Sequence, residues 1–112
     1  MKTAAQVLRE ARELISDPER WAQGAWAKNA PGHSVQTRAP EAVSWCAAGA
    51  IYRCAGNSDL SIDTRELLYD VIGSNISPDS GHVIAEFNDT HTHAEVLEMF
   101  DRAIALAEER QL

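Results

Sequence analysis

The first fifteen positions set apolar residues at Ala4, Val7, Leu8, Ala11, Leu14 and Ile15, with Arg9, Glu10, Arg12 and Glu13 mostly on the opposite side. That period is helical. Thr3 and Gln6 stand at capping-box spacing just ahead of it, so the pattern predicts a helix ending near Ile15. Ser16 and Glu19 repeat the spacing, and Pro18 suits a first helical turn because its missing N–H has no partner there. A short helix over about 17–23, carrying Trp21, is expected. Gly24 and the run Asn29-Ala30-Pro31-Gly32 then break the periodicity. Between them, Ala25-Trp26-Ala27 and His33-Ser34-Val35 predict a very short hairpin at about 25–35, too small to stand without the helices.

Residues 40–54 are apolar nearly all round, with Ser44 and Gly49 as small interruptions. Pro40 fits a first turn. The pattern predicts a central buried helix over about 40–54 with neighbours on several sides. Gly49 costs about 1 kcal/mol against Ala inside a helix, which implies close approach by another element. Beyond the break at Ala55-Gly56-Asn57-Ser58, Asp63 with Glu66 marks a further helix start. Leu67, Leu68, Val71 and Ile72 form its face and Gly73 its C-terminal cap. Val83, Ile84 and Phe87 fit a helix, while Val83, Ala85 and Phe87 fit a strand; Ser77-Pro78 upstream favours a short helix. The last helix has the clearest signal. Thr92 and Glu95 form a capping box, followed by Val96, Leu97, Phe100, Ala103, Ile104 and Ala107. The expected fold is mainly α, a compact small helical domain occupying residues 1–112.

Composition fits that picture without sharpening it. A chain of 112 residues with 45% apolar and 24% charged residues has the balance of one globular domain. No run approaches the roughly 20 apolar residues of a membrane helix, and Met1-Lys2-Thr3-Ala4-Ala5-Gln6 lacks a signal peptide's apolar stretch. A cytoplasmic location is expected.

Charge changes the picture more. The net charge is −7, unevenly spread. Residues 1–56 hold seven basic and five acidic groups, whereas residues 57–101 hold Arg65 against ten acids. Such a surface repels a phosphate backbone and an anionic membrane, and it steers a basic protein partner. Candidate contact residues are Asp63, Glu66, Asp70, Glu95 and Glu98. Trp26, beside the breaker-rich loop, is a candidate anchor, since Trp is enriched at binding hot spots. The bland alternatives are a solvated acidic face and a Trp26 that lids the core. Self-association stays open.

Three segments together resemble a family of small uncharacterised proteins from bacteria and their phages. They are Trp21-x-x-Gly24-Ala25, Glu41-Ala42-Val43-Ser44-Trp45-Cys46-Ala47-Ala48-Gly49-Ala50, and Phe87-Asn88-Asp89 leading into a helix with Glu95-Val96. Phe87 stands where the resemblance leads one to expect Trp in many members. The resemblance spans roughly residues 7–108; it implies a compact, mostly helical domain and supplies no activity.

Catalytic alternatives centre on Cys46 and the run Asn88-Asp89-Thr90-His91-Thr92-His93. Cys46, Asn88 and His91 are the residue types of a thiol hydrolase. Yet a Cys46 two turns into a helix among apolar neighbours would be a buried structural thiol, beyond most of the help of the helix dipole. Cys46 and Cys54, eight residues apart on one helix, would be about 12 Å apart, too far for a disulfide. Asp89, His91 and His93, with His82, are the metal alternative, though a helix start at Thr92 would splay them. The simpler role for Asn88 or Asp89 is to end one element while Thr92 caps the next. No Gly-rich phosphate loop, Cys-x-x-Cys or nucleophile elbow occurs, and no cofactor is implied. The sequence therefore favours a non-enzymatic, acidic protein-interaction module of bacterial or phage origin. One version is an inhibitor of a host nucleic-acid-binding or defence complex. The alternative is a small thiol or metal-dependent enzyme using Cys46 with Asn88, Asp89 and His91.

Overall fold

The computed structural model describes residues 2–73 and 82–112, with the side chain of His82 outside the described set. Asp79 and Ser77-Pro78 lie outside it as well. Helix α1 spans Ala4–Leu14 and has the expected capping box: Thr3 Oγ1 accepts from Gln6 N–H and Gln6 Oε1 from Thr3 N–H. It buries Ala4, Ala5, Val7, Leu8 and Ala11. The expected second helix is a single 3₁₀ turn, Pro18–Arg20, capped by Asp17 rather than Ser16. The Ser16 hydroxyl instead donates back to Glu13 O, and Trp21 is extended because it bridges to Trp45.

The stretch 40–54 divides. Residues up to Cys46 are not helical; β2, Ser44–Trp45, pairs antiparallel with β1, Ala27–Lys28. Helix α2 begins only at Ala47 and runs to Ala55. The reason lies in the backbone hydrogen bonds. Val43 N–H donates to Lys28 O (2.8 Å), and Cys46 N–H to Trp26 O (3.2 Å). An apolar run buried on all sides does not by itself separate strand from helix. The expected partner of residues 25–27 is present in reduced form, as a bridge between Lys28 and Ser34 on the other edge of β1. Val35 N–H donates to Ala27 O there.

Gly49 supplies the close approach its position implied. A Cβ there would lie 2.0 Å from the carbonyl oxygen of Trp26, so the β1 segment rests directly on the α2 backbone. Helix α3, Ser58–Ile72, starts about a turn earlier than Asp63–Glu66 suggested, because Asn57 Oδ1 caps it by accepting from Leu60 N–H (2.8 Å). Its buried side includes Thr64, Leu67, Leu68 and Tyr69, while Val71 and Ile72 are half-buried. Gly73 caps its end. Helix α4 is His82–Thr90 and α5 is His93–Glu109, the latter with the Thr92–Glu95 capping box in place.

These five helices of the described residues pack around Leu8, Ile15, Ile51, Leu67, Leu68, Ile84, Val96 and Phe100, all fully buried. The fold is mainly α. Each such side chain contributes about 1.5–3 kcal/mol on burial. Among the described residues no helix is long and apolar enough to cross a membrane.

Candidate functional site

Asn88 lies in the last turn of α4 and acts on backbone groups, though on those of distant segments. It is fully buried, and its side chain joins three parts of the chain. Its Oδ1 accepts from Ala47 N–H at the start of α2 (2.9 Å) and from Trp21 Nε1–H (2.6 Å). Its Nδ2 donates to Ala22 O (2.8 Å) and to Asp89 Oδ1 (3.1 Å). Asp89 Oδ1 also accepts from Gly24 N–H (3.0 Å), where Gly24 adopts a φ of +82° that favours glycine. The Gln23 carboxamide reaches the carbonyls of Asn88, Asp89 and His91. The three sequence segments quoted above thus meet at one junction: the 21–26 loop, the start of α2 and the end of α4. A carboxamide suits this place because it both donates and accepts, which neither a carboxylate nor an apolar side chain does.

Cys46 stands at the same junction, as the N-cap of α2 rather than two turns inside it. Its Sγ accepts from Gly49 N–H (3.4 Å). The helix start does not activate it. Burial, opposed by hydrogen bonds from the backbone of Gly49 and Ala48, pushes the thiol up to about 11. Cys46 is 1% exposed, and both cysteines are free thiols. Burial also raises Cys54.

The histidines are engaged elsewhere. His91 Nδ1 lies 2.8 Å from Phe87 O and therefore carries the proton it donates; the ring stacks on Phe87 at 3.7 Å. His93 Nε2 lies 2.7 Å from Ile15 O, with its ring against Trp21. No three His, Cys, Asp or Glu among the described residues are grouped to hold a metal ion. Asp89, His91 and His93 therefore act on backbone groups and aromatic rings.

The acidic candidates divide into two sets. Asp63, Glu66 and Asp70 line a groove of about 850 Å³ between α3, the start of α1 and the C-terminal residues. Asp59, which sequence reading left out of the set, continues the row. The four recur at helical spacing along one face of α3. Leu60, Leu67 and Leu112 provide the apolar lining, and Leu112 is 48% exposed. Asp70 pairs with Arg110 at 2.8 Å, whereas Asp63 and Glu66 are exposed and have no ion pair among the described residues. Glu95 and Glu98 lie apart, on α5. The Glu95 carboxylate accepts from Thr92 N–H, which lowers its pKa, so it serves as a cap; Glu98 is exposed. Elsewhere α1 and α5 are joined by the pairs Arg12–Asp101 and Arg9–Glu108.

Trp26 belongs to neither set. Its indole stacks on Tyr52 (4.9 Å, 11°), half-buried beside a concavity of about 440 Å³ shared with Val35 and Arg38. Its carbonyl is the group pressed against Gly49. It covers α2 and also borders that concavity.

A family of unknown function (DUF6197) matches residues 1–106. The chain belongs to that family. Neither the curated proteins nor the solved structures hold a match to it. The family covers every element that builds the Asn88 junction and all of α3. Sequence reading missed the reach of Asn88. Its one available signal was a carboxamide at a position that continues the apolar period of Ile84.

Proposed function

We propose that this protein is a non-enzymatic interaction module whose groove along α3 docks a basic protein partner in the cytoplasm. The observation that carries the reading is the groove of about 850 Å³ that combines Asp59, Asp63, Glu66 and Asp70 with an apolar lining. Acidic rows over apolar ground suit a segment with Lys or Arg on its rim and apolar anchors between them. Charge steers the encounter, and buried apolar area holds the complex. A specific version is a chain of bacterial or phage origin that inhibits a host nucleic-acid-binding or defence complex by covering a basic surface meant for nucleic acid.

The catalytic alternative gains no support from the site. The Cys46 thiol is buried and protonated near neutral pH, the Asn88 carboxamide is fully engaged, and His91 donates to a backbone carbonyl.

The test is affinity capture from bacterial lysate with the native chain and with Asp63→Lys/Glu66→Lys as parallel baits, followed by mass spectrometry. A partner with a basic surface should be retained by the native bait alone and released as salt rises towards 1 M, where the Debye length is about 3 Å. Equal retention on both baits, insensitive to salt, overturns the reading.

A further inference from the structure

A second concavity, of about 260 Å³, lies at the start of α3 and has the opposite electrostatic character. Its lining includes Arg38, Tyr52, Asn57, Ser58, Ser61 and Arg65. Among the described residues no Asp or Glu lines it, although the chain as a whole carries −7.

Three features of this place bear on a ligand. Ser61 is 2% exposed, and its hydroxyl has no hydrogen-bond partner among the described residues. Buried hydroxyls are ordinarily satisfied, so an unsatisfied one lining a cavity marks a place for an acceptor or a donor. The cavity also sits at the N-terminus of a 15-residue helix. First-turn N–H groups have no acceptor within the helix and carry the positive end of its dipole. Asn57 takes the N–H groups of Leu60 and Ser61, leaving those of Ser58 and Asp59 as the first-turn donors. Finally, both arginines are held in place around Tyr52. Arg38 donates through Nε and Nη2 to Tyr52 O (3.4 and 3.2 Å). The Arg65 guanidinium lies 5.2 Å from the Tyr52 ring centroid, and its Nε donates to Ser61 O. These bonds use a fraction of Arg38's five N–H donors.

Hydrogen-bond donors, a helix N-terminus and the planar Arg38 guanidinium together match a tetrahedral dianion. We propose that the cavity at the start of α3 binds a phosphate group, either as inorganic phosphate or as the phosphate of a small monoester. The Ser61 hydroxyl donates to one phosphate oxygen, Arg38 provides charge, and the first turn of α3 provides backbone donors. Asp59 lines the acidic groove and not this cavity, so one helix start divides an acidic face from an anion-binding one.

The experiment uses the full chain, ¹⁵N-labelled, titrated separately with inorganic phosphate and with glycerol phosphate, each against sodium chloride at equal ionic strength. The amide signals of Ser58, Asp59 and Ser61 should shift saturably with one or both phosphates and not with chloride. The tighter of the two identifies the source. Arg38→Ala should weaken binding by roughly tenfold, the scale of one charge-assisted contact. Ser61→Ala should weaken it several-fold, while Asp63→Lys leaves it no weaker. Arg38 and Asp63 are exposed and Ser61→Ala removes one oxygen, so amide spectra of all three should remain those of a folded chain. Absence of saturable shifts with both phosphates, equal shifts with chloride, or unchanged affinity in both Arg38→Ala and Ser61→Ala overturns the proposal.

Discussion

The Asn88 junction and the acidic face of α3 are both rich in polar groups, yet they differ in where those groups point. At the junction, the Asn88 carboxamide is fully buried and closed off by the backbone groups of Ala22 and Ala47, while Asp89, at the rim, accepts from Gly24 N–H. Along α3, Asp63 and Glu66 face solvent over an apolar groove. The first arrangement makes the Asn88 carboxamide expensive to remove, because its partners are left buried and unsatisfied. The second leaves stability nearly indifferent to the acids and keeps them available for a partner. Density of polar residues in sequence therefore did not mark the available surface; direction relative to the core did.

Substitutions at the two regions separate these roles, and the largest effects belong to the junction. Trp45 is 5% exposed and donates through Nε1 to Thr37 O, with Arg53 over its ring at 4.9 Å. Trp45→Ala should cost about 3–5 kcal/mol in urea unfolding. Asn88→Ala should cost about 3 kcal/mol, since the Ala47 N–H and Ala22 O lose their partner inside the protein. A cost below about 1 kcal/mol would place Asn88 on the same footing as the surface acids and erase the contrast. Gly49→Ala forces the Trp26 carbonyl and α2 apart and should cost about 1–3 kcal/mol, on the scale of an overpacked core.

The Cys46 thiol adds a pH signature. Its ordinary value is 9.0 and burial raises it to about 11, so between these values the unfolded chain has released a proton that the folded chain keeps. Stability then falls as pH rises, by about 1 kcal/mol at pH 10. Cys46→Ala should flatten this part of the stability–pH curve, and a curve of unchanged slope would mean the thiol reaches solvent. The smallest effect on stability is expected from Asp63→Lys/Glu66→Lys, within about 1 kcal/mol in the same assay. That pair should lower the association rate with a basic partner, because long-range steering precedes contact.

Local signals were legible wherever a side chain acts on its own turn. The capping boxes at Thr3–Gln6 and Thr92–Glu95, the Gly73 cap and the amphipathic faces of α1 and α5 all stand where the pattern put them. Gly49 was legible as a close approach, though not as an approach by Trp26. The stretch 40–46 was misread because its apolar character is the same whether strand or helix buries it. Its extended form follows from donors paired with Lys28 and Trp26, far away in sequence. Cys46 shows a further limit. The expected buried thiol is found, but at a helix start, where desolvation outweighs the lowering by the local N–H groups.

The order and type of most helices, their caps, the concentration of acids after residue 56 and the mainly α class follow from the chain's own periodicity and composition. These depend on neighbours within a few residues, where backbone geometry fixes what meets what. Tertiary structure alone decided that Asn88 ties together three distant segments, that Asp63, Glu66 and Asp70 share a groove while Glu95 serves as a cap, and that Ser61 and Arg38 meet at one cavity. Those arrangements depend on which faces of the helices the core draws inward, and residues far apart in sequence then become neighbours through packing that no local pattern encodes.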